Sequence, residues 1–135
     1  MDTGYLGGAH MPQAEEVVVI TDSLSLCRSD TERWIIYRFK GDPKPSQKDL
    51  DAVLQALVRS AEVEVKPVCV APEALEQPNS RALGALLGLL TTKDGKQRRV
   101  ALAAPSNAWI DMLDIMGVRA SFIVVDDPEE LASEG

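Results

Sequence analysis

The apolar positions of this chain fall into short blocks separated by polar, proline- and glycine-bearing joints, and the spacing inside the blocks differs from one to the next. Val17-Val18-Val19-Ile20 is a continuous apolar run of strand length. Arg33 to Phe39 carries Trp34, Ile35, Ile36, Tyr37 and Phe39, the β-branched and aromatic types that suit a pleated surface. Thr21 to Thr31 between them is mainly polar and reads as a loop, so the two strands are expected to pair as a long hairpin. Asp42-Pro43-Lys44-Pro45 stops the second strand, because proline removes a ladder donor, and Ser46 with Asp49 three residues on resembles a capping box. Leu50, Val53, Leu54, Leu57 and Val58 then recur at i, i+3, i+4, i+7 and i+8, one apolar stripe of a helix lying on a core.

Val63 to Val70 reads as a third strand with Pro67 at its start or at an unpaired position. Pro72 to Pro78 leads into the most apolar run, Ala82 to Leu89, which Asn79 or Ser80 is placed to cap through a side-chain oxygen. Apolar residues crowd every face of that helix, so burial is expected. Gly84 and Gly88, four apart, are expected to allow close packing on a sheet, since each costs about 1 kcal/mol relative to Ala in a helix. Asp94-Gly95 marks a turn, and Val100 to Ala103 a buried strand. Ser106 caps a helix carrying Trp109, Met112, Leu113 and Met116, which Gly117 ends. Phe122 to Val125 is a last strand, and Asp127 with Pro128 opens a final helical turn. This order predicts an α/β sandwich, a mixed and largely parallel sheet of about five strands with helices packed against it. Residues 1–13 hold four of the prolines and glycines without apolar periodicity and are expected to be a tag or flexible arm, with one domain over 14–135.

A net charge of −7 on 135 residues disfavours nucleic acid or an anionic membrane surface as partner and leaves a protein partner open. The apolar run at Ala82 is far shorter than the ~20 residues that span a bilayer, so no membrane insertion is expected. Cys27 and Cys69 make neither a disulfide framework nor a metal-ligand spacing, and His10 stands in the expected arm. No metal and no cofactor is expected. With no charged n-region ahead of an apolar h-region, a cytoplasmic home is the expectation. Neither G-x-G-x-x-G nor a P-loop is present. The one enzyme-like pattern is Cys27 followed six positions on by Arg33, the spacing of a cysteine-dependent phosphatase loop. Arg28, Asp30 and Glu32 fill that loop where small residues are needed and a strand follows, so it is a distant alternative and the chain is not expected to be an enzyme. Asp126-Asp127 is explained by an aspartate cap before Pro128 sooner than by a phosphoacceptor or a magnesium pair.

Ser80-Arg81-Ala82-Leu83-Gly84-Ala85-Leu86-Leu87 resembles the Asp-Ser-Ser-Gly-Leu-Gly-type motif of STAS domains, the sulphate-transporter and anti-sigma factor antagonist family. The likeness extends to Arg98-Arg99-Val100-Ala101-Leu102-Ala103 with the following Ser106 helix, and to Gly41, where the family often places a glycine after a strand. Asn79 stands for the usual Asp, Arg81 for a second hydroxyl residue, Ala82 for Gly, and Lys44 for an acidic loop residue. The resemblance implies a partner-switching regulator of the anti-anti-sigma type, with Ser80 as the phosphorylation candidate and an anti-sigma factor serine kinase as possible partner. Partner-binding residues would be Asn79, Ser80, Arg81, Gly41 and Lys44. The alternative is a non-phosphorylated STAS-like scaffold or ligand-sensing module. The bland reading of Ser80 itself is a helix cap.

Overall fold

The computed structural model describes residues 15–132; the expected arm at 1–13 lies outside them. Six strands form one sheet in sequence order: β1 Glu16–Ile20, β2 Leu24–Asp30, β3 Ile35–Gly41, β4 Val68–Ala71, β5 Val100–Ala103 and β6 Ile123–Val125. β1, β2 and β3 make an antiparallel meander, and β3, β4, β5 and β6 run parallel. Helices α1 Gln47–Glu62, α2 Ser80–Leu89 and α3 Asn107–Ile115 follow β3, β4 and β5, and a short α4, Glu129–Ala132, follows β6. This is the expected α/β class, a mixed, mostly parallel sheet with helices packed against it.

Strand alternation divides the interior in two. Leu24, Leu26, Ile35, Tyr37, Phe39, Val68, Val70, Val100 and Leu102 face the main core, where α1, α2 and α3 cover them with Val53, Leu57, Leu83, Leu86, Trp109 and Leu113. Trp34, Ile36, Cys69, Ala71, Ala101 and Ala103 face the other way and pack with Leu131 of α4. The small Cys and Ala side chains of that second face let so short a helix approach the sheet.

Thr21 to Thr31 is not the loop expected: Leu24–Asp30 is the full strand β2, inserted between β1 and β3, which therefore do not pair. Its inward residues Leu24 and Leu26 are fully buried, and Arg28 continues the same face at the edge of the core. There its guanidinium makes a bidentate pair with Asp30, at 2.7 and 2.9 Å, reaches Glu64 and Ser60, and lies over the Tyr37 ring. An ion-paired Arg thus occupies a position that an alternating strand would give to an apolar residue. Val63 and Val65 are not strand either: α1 runs through Glu62, both valines are exposed, and β4 begins after Pro67, whose carbonyl accepts from the Ile35 N–H.

The helix starts follow the capping residues. Ser46 accepts from the Asp49 N–H at 3.1 Å, while the Asp49 carboxylate holds the Ser23 N–H and hydroxyl, and Ser23 Oγ in turn accepts the Ser46 N–H at 3.2 Å. The capping box is relayed through a residue on the neighbouring strand turn. Ser106 caps α3 through the Trp109 N–H, and Asp127 and Glu130 cap α4. After α3, Gly117 has φ +72°, with Gly117 N–H to Asp114 O and Val118 N–H to Leu113 O, the two bonds of a Schellman ending.

One buried charge joins two helix ends. Arg98, 7% exposed, donates through Nε to Leu89 O (2.8 Å) and through Nη1 to Ala61 O (3.0 Å) and Glu64 O (3.1 Å). The carbonyl ends of α1 and α2 carry partial negative charge and lack intrahelical donors, so a guanidinium between them satisfies both.

Candidate functional site

Because β3, β4 and β5 are parallel, the loops that leave their carboxyl ends gather on one rim of the sheet, together with the starts of α1, α2 and α3. That is where open α/β sheets commonly carry their sites. The rim loops are tied to one another. Trp109 Nε1 donates to Leu75 O at 2.7 Å and Ser106 Oγ to Glu76 O at 2.7 Å, which fixes the loop ahead of α2 against the start of α3. Arg38 reaches Glu73 at 3.6 Å from β3. Ala104, just past β5, holds φ +49° while its N–H bonds to Val125 O.

All five residues singled out by sequence lie on this rim, in different roles. Asn79 is the cap of α2: its Oδ1 accepts from the Ala82 N–H at 2.8 Å and its carbonyl from the Leu83 N–H. Ser80 is therefore not the cap. It is the first helical residue, exposed, and its hydroxyl makes no hydrogen bond among the described residues. Arg81 Nη1 pairs with Asp51 on α1 at 2.5 Å, and this bond holds the Asp51 carboxyl below the usual carboxylate range. The start of α2 is thereby tethered to the second turn of α1. Gly41 ends β3 with φ +139°, and a Cβ there would stand 2.4 Å from Ser23 O, whose carbonyl also accepts the Asp42 N–H. This close approach of two backbones is what requires a glycine here. Lys44 is exposed in the loop before α1, and its ammonium has no partner among the described residues.

The expected close packing of Gly84 and Gly88 is overturned: both are exposed, and a Cβ at either would meet nothing within 4 Å. α2 turns Ala82, Leu83, Leu86 and Leu89 to the core, so Ser80, Gly84 and Gly88, at i, i+4 and i+8, form a bare outward stripe. Beside it a shallow cleft of about 370 Å³ runs between α1 and α2, floored by Leu54, Val58 and Ala85 and closed at one end by the Asp51–Arg81 pair. Asp51 and this cleft were not legible beforehand. The only hint was a carboxylate one position after Leu50, beside the apolar stripe of α1.

Cys27 sits mid-strand in β2, buried, opposite Val17 and Arg38, and the chain continues as strand to Asp30 before turning into β3. A phosphate loop needs the segment after the cysteine to curl into a helix start, so the Cys27–Arg33 spacing builds no such cradle. Burial pushes the Cys69 thiol up to about 12. No group of three or more His, Cys, Asp or Glu among the described residues is placed to hold a metal, and no helix among them is long and apolar enough to cross a membrane. No protein-family model and no characterised protein sequence matches the chain.

Proposed function

We propose that this protein is a STAS-like regulator that binds a protein partner across the start of α2, in the partner-switching manner of anti-sigma factor antagonists, with phosphorylation of Ser80 as its control. The observation that carries the reading is the division of labour at the helix start. Asn79 performs the capping, which leaves the Ser80 hydroxyl exposed and unengaged. With the Ala82 and Leu83 amides bonded to Asn79, the Ser80 and Arg81 amides remain for solvent or for a phosphate. A phosphoryl group there adds about −1.5 to −2 charges at the positive helix end, so the fold tolerates it. A partner seated on the bare Ser80–Gly84–Gly88 stripe would have to desolvate that charge, and its affinity falls. Arg81 is committed to Asp51 and offsets little of it.

The test is to incubate the protein with an anti-sigma factor type serine kinase and ATP and to map the modified residue by mass spectrometry. Phosphate on Ser80, absent from Ser80→Ala, supports the reading, and transfer only to other residues, or none, removes it. A non-phosphorylated scaffold is favoured by one specific observation: Asn79 and Arg81, two of the departures from the family motif, both serve the fold, as cap and as tether. Under that reading the partner binds and the kinase does not act.

A further inference from the structure

The outward face of α1 carries a charge pattern that a second copy of the same helix completes. Lys48, Asp51, Gln55, Arg59 and Glu62 recur at spacings of three and four, one stripe turned away from the side on which Val53, Leu57 and Ala61 are buried. Read along the helix, the stripe is plus, minus, neutral, plus, minus, and Gln55 stands at its middle. Lys48, Arg59 and Glu62 are exposed, and none of them makes a hydrogen bond or ion pair among the described residues, so neither Lys48 with Asp51 nor Arg59 with Glu62 is neutralised within the helix. Asp51 is engaged on both oxygens, by Arg81 and by Gln47 Nε2 at 3.1 Å. Its side chain is still 33% exposed, and a carboxylate offers about four acceptor positions, so a further cation can reach it. The neighbouring helices lack such a pattern: α2 has the single charge Arg81, and α3 only Asp111 and Asp114.

We propose that this face is the seat of a second copy of the chain, which packs its α1 antiparallel on the first with a two-fold axis beside Gln55. Contacts across such an axis are reciprocal. Lys48 then faces Glu62 of the second copy, Asp51 faces its Arg59, and every charge on the stripe meets its opposite. Between them Ala52 faces Val58, which is 40% exposed, and Leu54 and Ala85 in the floor of the α1–α2 cleft extend this apolar centre. A parallel arrangement in the same register sets like charge against like, so the pattern fixes the direction as well as the partner. Exposed ion pairs are individually weak and the seat is centred on one helix face, so the dimer is concentration-dependent and not permanent. The assignment does not draw on the STAS-like reading, and its test leaves Asn79, Ser80 and Arg81 unaltered.

The experiment is sedimentation equilibrium of the full chain at constant ionic strength, from about 10 µM to about 1 mM, a range that reaches a millimolar Kd. Wild type is expected to associate as a dimer. Lys48→Glu sets a carboxylate against Glu62 of the second copy, and Glu62→Lys sets an ammonium against its Lys48, so each variant should weaken association about tenfold. The two variants move the net charge of −7 in opposite directions, which separates the local pairing from overall repulsion. Both positions are exposed and unengaged, and the melting temperatures should stay at the wild-type value. An equimolar mixture of the two single variants, and the double variant Lys48→Glu/Glu62→Lys, both bring opposite charges together again and should restore association. A chain that stays monomeric over the whole range overturns the proposal. So does association that either single variant leaves unchanged, or that the mixture and the double variant fail to restore.

Discussion

Replacing Arg98 tests whether one buried guanidinium holds the ends of α1 and α2 together. In Arg98→Met the side-chain length is largely kept while all donors are lost. Ala61 O still receives the Glu64 N–H at 3.0 Å, but Leu89 O and Glu64 O lose their Arg98 donor. A hydrogen bond from a charged donor contributes about 1.5–3 kcal/mol, so the two uncompensated losses amount to roughly 3–6 kcal/mol. The guanidinium, however, had to be desolvated to reach this place, and burial lowers its pKa accordingly. The offset brings the expected net destabilisation to about 3 kcal/mol. For a domain of this size that corresponds to a fall in melting temperature of roughly 10 °C. Arg98→Lys keeps a cation near both helix ends but cannot fork to both, and about half of the loss is expected. Urea denaturation followed by far-ultraviolet circular dichroism, with thermal melts alongside, measures both variants. A change of less than about 2 °C in Arg98→Met, with the urea slope unaltered, would refute the bridging role.

Gly84→Ala and Gly88→Ala should each stabilise the protein by about 0.5–1 kcal/mol, since both glycines are exposed helix positions with open space around them; a lower melting temperature would mean that the outward stripe has been misassigned. Gly41→Ala should cost about 2–4 kcal/mol, because φ +139° and the Ser23 carbonyl both oppose a Cβ, and wild-type stability would contradict the close approach. Arg28 beside Asp30 holds the Asp30 carboxyl below its ordinary value of 3.8. The folded state therefore binds this proton less readily than the unfolded state, so the pair's contribution is complete above that value and is lost as pH falls below it. Asp30→Asn should be less stable at neutral pH and should flatten the acid limb of the stability curve, and parallel curves for the two proteins would exclude the pair as a contributor.

Periodicity carried most of the architecture. The stripe of Leu50, Val53, Leu54 and Leu57 and the caps at Ser46, Asn79 and Ser106 depend only on local spacing and side-chain reach, and each stands where these require, whereas Val58, expected on the same stripe, is exposed at its border. β2 was hidden because its inward face changes from Leu24 and Leu26 to Arg28, whose burial is tolerable only with Asp30, Glu64 and Ser60 around it. No local pattern reveals that Glu64 and Ser60, more than thirty residues away, will be there. The bridging place of Arg98 is equally invisible to local pattern: its acceptors are backbone carbonyls of two helix ends, and only packing brings them together. At the candidate site, Asn79 or Ser80 was equally able to cap from sequence. The choice rests on the extended backbone of Asn79, φ −140° and ψ 170°, which aims its amide oxygen at the Ala82 N–H. Gly84 and Gly88 misled because a glycine pair on an apolar helix suits both a crowded face and a bare one, and composition alone does not tell which way the face points.

The most direct test of the proposed control point at Ser80 is to isolate a binding partner by co-purification and titrate it calorimetrically against wild type, Ser80→Ala, Ser80→Asp and Arg81→Ser. Ser80→Ala should bind as wild type does and Ser80→Asp more weakly, by less than the phosphorylated protein because Asp carries a single charge. Arg81→Ser breaks the tether to Asp51, and because Arg81 is already paired with that carboxylate, combining it with Ser80→Asp should leave that difference nearly unchanged. Equal affinity across the set would contradict the switch and leave Ser80 as an exposed first residue of α2 with no regulatory part.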